Sequence, residues 1–405
     1  MTEDTSSLVA PAEAAGWRSG HFRLLQAATF LSAYDRFGIA PMLLAIAATF
    51  HVALSKAVAV ASLYYLLYGL SQPVWGIASD WFGRVRVMRF SMMGATIAGL
   101  LSAAAPTLTV AIVMRALTGG LFAAVIPASL VYIGDAVPIE NRHTVLTRLL
   151  SATSVGTACG YVLGGAGASY ASWRLVFATT ALAAGSVGML LGRLPESAQA
   201  TRAAAPVANL VRVLRNPAGV AVLLVAMAEG GIILGLLTFL APYLESQGAS
   251  AAVAGLVVGV YGFAVLAWAV GVRRIAPRLS PAGLICSGGL LLALGYGCVA
   301  LGGGPLGTAA AALLLAGGWT FIHPTIQTWA IEVLPAMRAA TISLFAASLY
   351  VGGALAANSA GGFVGSHGYR ELFVIAAALA VPFGLGGALA RWRFGPSPVR
   401  LSQAD

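Results

Sequence analysis

The sequence predicts an all-α membrane protein of twelve transmembrane helices, arranged as two six-helix, pseudo-symmetric halves. Three observations carry this expectation. The 405-residue chain is 59% hydrophobic with a mean hydropathy of +0.88, more apolar surface than one water-soluble core can hide. Apolar runs of about 20 residues or more, each long enough to cross about 30 Å of hydrocarbon as a helix, recur from end to end. The longest polar break falls at the midpoint, and the stretches on either side of it repeat.

Taken in order, the apolar runs lie near 22–49, 56–79, 87–106, 108–134, 145–170 and 173–194, then 218–244, 251–272, 282–302, 305–333, 340–365 and 369–391, each bounded by Gly, Pro or charge. The leader before them, residues 1–21, carries acids ahead of its first basic residue and lacks the pattern of a cleaved signal peptide, so the first helix is expected to be retained. Residues 195–217, "PESAQATRAAAPVANLVRVLRNP", read as a linker between halves 22–194 and 218–391, and residues 392–405 as a tail. Most of the 23 Lys and Arg fall in alternate loops, while Lys56, Arg174 and Arg370 fall in the others. By the bias of Lys and Arg toward cytoplasmic loops, both termini and the linker are expected in the cytoplasm.

The repeat is visible residue by residue. Pro127 aligns with Pro324, Asp135 with Glu332 and Pro138 with Pro335, all at an offset of 197. After a one-residue gap the offset becomes 196, matching Gly156 to Gly352, Gly165 to Gly361, and "WRLVF" from Trp173 to "YRELF" from Tyr369. Two halves of the same topology describe a parallel repeat about an axis along the membrane normal, a pair able to rock around a central site.

Charges are scarce, at 9% of residues, yet "GIASDWFGRVRVM" from Gly76 to Met88 gathers several between two apolar runs. Gly76, Asp80, Gly83, Arg84 and Arg86 resemble the signature loop of the major facilitator superfamily, G-x-L-a-D-r-x-G-r-k, with Ala78, Trp81 and Val85 departing from it. Gly76 is expected to permit close helix packing, Gly83 a tight turn, and Asp80 a contact with a facing helix end or a nearby Arg that holds the cytoplasmic gate. "RALTGGLFAA" from Arg115, with Gly119, is similar to the fourth-helix motif of proton-coupled members. "GTACGYVLGG", with Gly156, Gly160, Gly164 and Gly165, resembles the fifth-helix motif of the exporters, with Tyr161 where that motif has Pro. The resemblance spans the whole chain and points to the twelve-helix drug:proton antiporter branch. It implies alternating access in a bacterial inner membrane.

Four ionisable residues lie deep within apolar runs: Asp35, Arg36, Arg115 and Glu229. Each costs about 2.5 to 3.5 kcal/mol at mid-membrane and must face a partner or a wet cavity. Asp35 and Arg36 point about 100° apart on a helix, so Asp35 is assigned to the cavity and Arg36 to a helix interface or a distant acid. The family resemblance gives Arg115 and Asp35 a part in proton coupling; a permanent salt bridge is the structural alternative. Glu229 either lines the cavity or reaches the cytoplasmic interface. His323 and Gln327, four apart in "WTFIHPTIQTW", form either a polar binding patch beside Pro324 or an interhelical hydrogen bond. Asp135 and Glu332, at matched helix ends, read as loop anchors.

The net charge of +10 is spread over short loops and forms no basic stripe, which argues against nucleic acid. Cys159, Cys286 and Cys298 have no metal-ligand spacing, and no cofactor or metal is expected. The five His show no H-x-x-x-H spacing and no ATP-binding loop is present, which argues against an enzyme or an ATP-driven pump. The expected function is a monomeric, proton-coupled exporter of small organic molecules. The alternative is a proton-symporting importer of an organic anion or siderophore-like compound held by Arg36 or Arg115.

Overall fold

A computed structural model describes residues 19–196 and 206–395, all in helices and short turns, with no strand among them. The chain opens with α1 (Ser19–Phe37), which a short turn at Ala40–Met42 bends by 40° into α2 (Leu43–Thr49). The bend corrects the expected continuous helix over 22–49. Pro41 can neither donate to the helix nor tolerate a carbonyl beneath its ring.

Next come α3 (Leu54–Ala57), α4 (Ala59–Phe82) and α5 (Arg84–Ala103). The fourth apolar run divides into α6 (Leu108–Phe122) and α7 (Val125–Ala136), broken four residues before Pro127 for the same reason. Then follow α8 (Ile139–Tyr170), α9 (Trp173–Leu190) and α10 (Pro206–Arg215), the last an amphipathic helix inside the segment expected to be a plain linker.

The seventh run is α11 (Pro217–Gly230), a π-turn over Gly231–Gly235 and α12 (Leu240–Ser246). The chain closes with α13 (Ala251–Ile275), α14 (Pro281–Ala300), α15 (Gly304–Val333), α16 (Arg338–His367) and α17 (Tyr369–Phe394). Asn216, Ser250 and Ser280 accept from the first free N–H groups of α11, α13 and α14 and set their starts. Of the expected leader 1–21, linker 195–217 and tail 392–405, residues 1–18, 197–205 and 396–405 lie outside the described residues.

Among the described residues, ten helical stretches are long and apolar enough to cross a membrane, or eleven if the bent α1–α2 pair is one span. The helix α5 is not among them, because Arg84, Arg86 and Arg89 crowd its first turns. Large apolar side chains such as Phe90, Leu290 and Leu389 stand on the outside of the bundle, as lipid contact requires.

Backbone seams hold the centre together. The helix α8 lies between α1 and α13, and α16 between α4 and α11. A methyl group added at Gly156 would strike the Phe30 carbonyl, at Gly160 the Tyr34 carbonyl, and at Gly164 the backbone of Gly38. Gly165 faces the opposite way, onto Ala251 and Gly255 of α13. Gly352, the residue aligned with Gly156, meets the Met227 carbonyl of α11 as Gly156 meets that of Phe30. Such close approach lets carbonyl and Cα–H groups touch where lipid offers no hydrophobic drive.

Candidate functional site

Asp35 and Arg115 meet in the core. Arg115 Nη1 donates to Asp35 Oδ1 at 2.9 Å and Nη2 to Oδ2 at 2.7 Å, a two-pronged ion pair whose side chains are 3% and 0% exposed. The Arg115 guanidinium lies 4.2 Å from the Phe177 ring centre and 4.9 Å from that of Tyr64. Gly119, one turn along α6, makes this possible. Its missing side chain admits the backbone and ring of Tyr64. Asp35 thus meets Arg115, as the family resemblance implies, and is not among the residues that line the cavity described next.

Arg36 does face the cavity. Its side chain is buried, with Nη1 donating to the Tyr350 hydroxyl at 2.5 Å and the guanidinium 4.9, 5.1 and 5.3 Å from the ring centres of Phe37, Tyr68 and Tyr350. Among the described residues no carboxylate lies within 4 Å of it, and its buried Nε has no hydrogen-bond partner. Of the two expectations for Arg36, a helix interface or a more distant acid, its contact with Tyr350 joins α1 to α16. An aromatic face stabilises a desolvated cation by up to about 2 kcal/mol, which offsets its burial without neutralising its charge.

Glu229 and His323, separate candidates in the sequence, are brought together. Glu229 is fully buried on α11, with Oε1 at 3.2 Å from His323 Nδ1 and Oε2 without a partner. The His323 ring stacks on Trp319 at 3.9 Å and keeps 19% of its side-chain surface exposed. Pro324 follows directly inside α15. Gln327 is half-buried one turn further on and makes no hydrogen bond among the described residues. The pocket beside Arg36, with a cavity volume of about 90 Å³, is lined also by Thr153, Ser154, Thr157, Tyr261 and Trp319.

The charged turn between α4 and α5 forms a local lock. Arg84 Nη1 donates to Asp80 at 2.5 Å and to Ser79 Oγ at 3.1 Å, and Arg84 Nε lies 3.7 Å from Asp135 on α7. Asp80 thus takes a nearby Arg rather than a facing helix end, and Asp135 is more than a loop anchor. Arg86 points outward. Gly83 has φ 97° and ψ 154°, a conformation open essentially to glycine alone. Against it lies Glu196, whose carboxylate accepts from Val85 N at 3.0 Å and Arg86 N at 3.2 Å. A carboxylate there satisfies the free N–H groups at the start of α5 and complements its dipole.

Gly76 has nothing within 4 Å of an added methyl group, so the close packing expected of it is corrected: it borders open space. We predict that Glu196→Ala lowers thermal stability by about 0.5 to 2 kcal/mol, the usual cost of losing a helix cap. Unfolding in detergent would measure it, and an unchanged midpoint would mean that water replaces the carboxylate at no cost.

The other end of the bundle is tied as well. Trp173 Nε1 donates to Thr49 Oγ1 at 2.9 Å, and Arg174 donates to the carbonyls of Ala103 and Ala105 at 2.8 Å. Back at the end that holds Asp135, its counterpart Glu332 pairs with Arg391 at 2.8 Å as an anchor. Sequence reasoning missed Tyr350 and Glu196. Neither sits in a motif, and only the placement of Glu196 directly after an apolar run hinted at a cap.

The sequence model of the Major Facilitator Superfamily matches residues 25–357. The chain belongs to the major facilitator superfamily. It is 25% identical over 162 residues to YybF of Bacillus subtilis (strain 168), an uncharacterized MFS-type transporter, across 39% of this chain and 40% of that one. It is 31% identical over 153 residues to the efflux pump dotC of Dothistroma septosporum, across 38% of this chain and 26% of the pump. The chain thus spans well under half the length of these curated relatives. Among solved structures, its fold is similar to that of the nucleoside transporter NupG, with a TM-score of 0.78, 13% identity and coverage of 91% and 99%. It is equally similar to the peptide transporter POT in complex with sulfate, with a TM-score of 0.78, 16% identity and coverage of 96% and 99%. At these identities the likeness is one of fold. A member of this superfamily is an integral membrane transporter rather than an enzyme.

Proposed function

We propose that the chain is a proton-coupled secondary transporter that exports small organic molecules in exchange for protons. Its twelve spans, with α5 as one of them, form halves 22–194 and 218–391 that rock about the cavity. The linker 195–217 and both termini face the cytoplasm of a bacterial cell, and the chain works as a monomer. The matched contacts of Gly156 with Phe30 and Gly352 with Met227 support the two halves. The efflux pumps among the relatives support the direction.

The observation that carries proton coupling is the Glu229–His323 pair. A fully buried carboxylate touches an imidazole whose side chain is 19% exposed, and an imidazole can take up a proton at one nitrogen and release one at the other, which supports proton passage to the acid through the ring. Its arrival or departure changes the charge beside the cavity, which biases the two arrangements of the halves. The buried Asp35–Arg115 pair supplies a second acid whose partner lies on another helix.

In everted vesicles with an acid interior, added cationic, neutral and anionic compounds are tested for dissipation of the proton gradient. The wild type is expected to respond to at least one class, and Glu229→Gln to lose that response while still inserting and folding. An undiminished response in both Glu229→Gln and Asp35→Asn would sink the proton role of these acids.

A further inference from the structure

We infer that the transported molecule carries a carboxylate on an apolar body, and that Arg36 receives that carboxylate; the inference rests on the transport reading above and names its substrate class. Of the two membrane arginines, Arg115 has both terminal nitrogens committed to Asp35. Arg36 has none committed to an acid, and its Nε is buried with no partner. A guanidinium in this state offers a strong, directional site to a planar anion, because two parallel N–H donors match two carboxylate oxygens.

The rest of the cavity agrees in kind. Phe37, Tyr261 and Trp319 provide flat apolar walls for the body of the molecule. The hydroxyls of Thr153, Ser154 and Thr157 all donate to carbonyls of α8 one turn back, so they face a ligand only as acceptors. In that arrangement they suit an O–H or N–H on the molecule, and Arg36 is the one cationic side chain among the residues that line the pocket. Tyr350 completes the clamp. Its hydroxyl holds Nη1 in position, and its ring braces the guanidinium with that of Tyr68, 4.3 Å away.

The test uses the purified full-length protein and three probes of one shape: naphthoate, its methyl ester and naphthyl trimethylammonium, each titrated calorimetrically. The wild type is expected to bind naphthoate at least about tenfold more tightly than the ester, as a charge-assisted pair should, and to bind the cation least. Arg36→Gln is expected to erase the difference between acid and ester, and Arg36→Lys to keep part of it. Tyr350→Phe keeps the ring and frees Nη1, so it is expected to preserve or sharpen the preference for the acid even if the Gln variant fails to fold. Equal binding of acid and ester, no binding of the acid, or a preference that survives Arg36→Gln would overturn the inference. Proton exchange that responds to the ester as well as to the acid would overturn it too, leaving the transport reading intact. Acid-selective binding without proton exchange would do the reverse.

Discussion

Arg115→Met is expected to destabilise the protein by about 3 to 5 kcal/mol, because it strands the Asp35 carboxylate in a site that water does not reach. Both side chains are almost fully buried, and the carboxylate has two bonds to that one guanidinium. Adding Asp35→Asn to the same chain is expected to recover most of the loss, since a neutral amide beside Met leaves no uncompensated charge. Thermal unfolding in detergent of the two single variants and the double variant closes the cycle. A single-variant cost below about 1 kcal/mol would place the pair in the class of wet surface bridges and remove its structural role.

Gly165→Val and Gly76→Ala are expected to behave oppositely, although both glycines belong to motifs quoted from the sequence. A side chain at Gly165 lands on the Ala251 carbonyl and on Gly255, so α8 and α13 must separate along their length. Overpacking of this kind costs about 1 to 3 kcal/mol, and it acts on a seam between elements that must move during transport. Transport by Gly165→Val is expected to vanish while helical content, read by circular dichroism, is unchanged. Gly76→Ala meets open space within a helix and is expected to be neutral or to stabilise by up to about 1 kcal/mol. Full transport by the Val variant would show that the seam yields, and a marked loss with the Ala variant would restore the packing role first expected of Gly76.

The spans were legible because a bilayer demands about 20 apolar residues whatever the tertiary structure. The bend at Pro41 and the break before Pro127 were written in the prolines but hidden by continuous hydrophobicity. The helix α10 was missed because amphipathic periodicity inside a charged stretch resembles a solvated linker. The cost of burial said that Asp35 and Arg115 each need a partner or a wet cavity, and the family resemblance put the two together. Which way Arg36 points was not readable. Helical geometry separates it from Asp35 by about 100°, but only the positions of Tyr68 and Tyr350 on other helices decide that it looks into the cavity. The meeting of Glu229 with His323 was hidden for the same reason, since their contact joins α11 to α15.

That no acid among the described residues pairs with Arg36 has an electrical consequence if its partner is an anionic cargo. On the proposed reading, with one anionic cargo leaving for each proton that enters, each turnover would move two charges in the same electrical sense. An interior-negative membrane repels the one and attracts the other, so both legs run downhill in the field. At about 2.3 kcal/mol per charge per 100 mV, the electrical work available doubles relative to export of a neutral cargo. Collapsing the potential with valinomycin and potassium, at constant proton gradient, would then slow this transporter more than one whose cargo is uncharged.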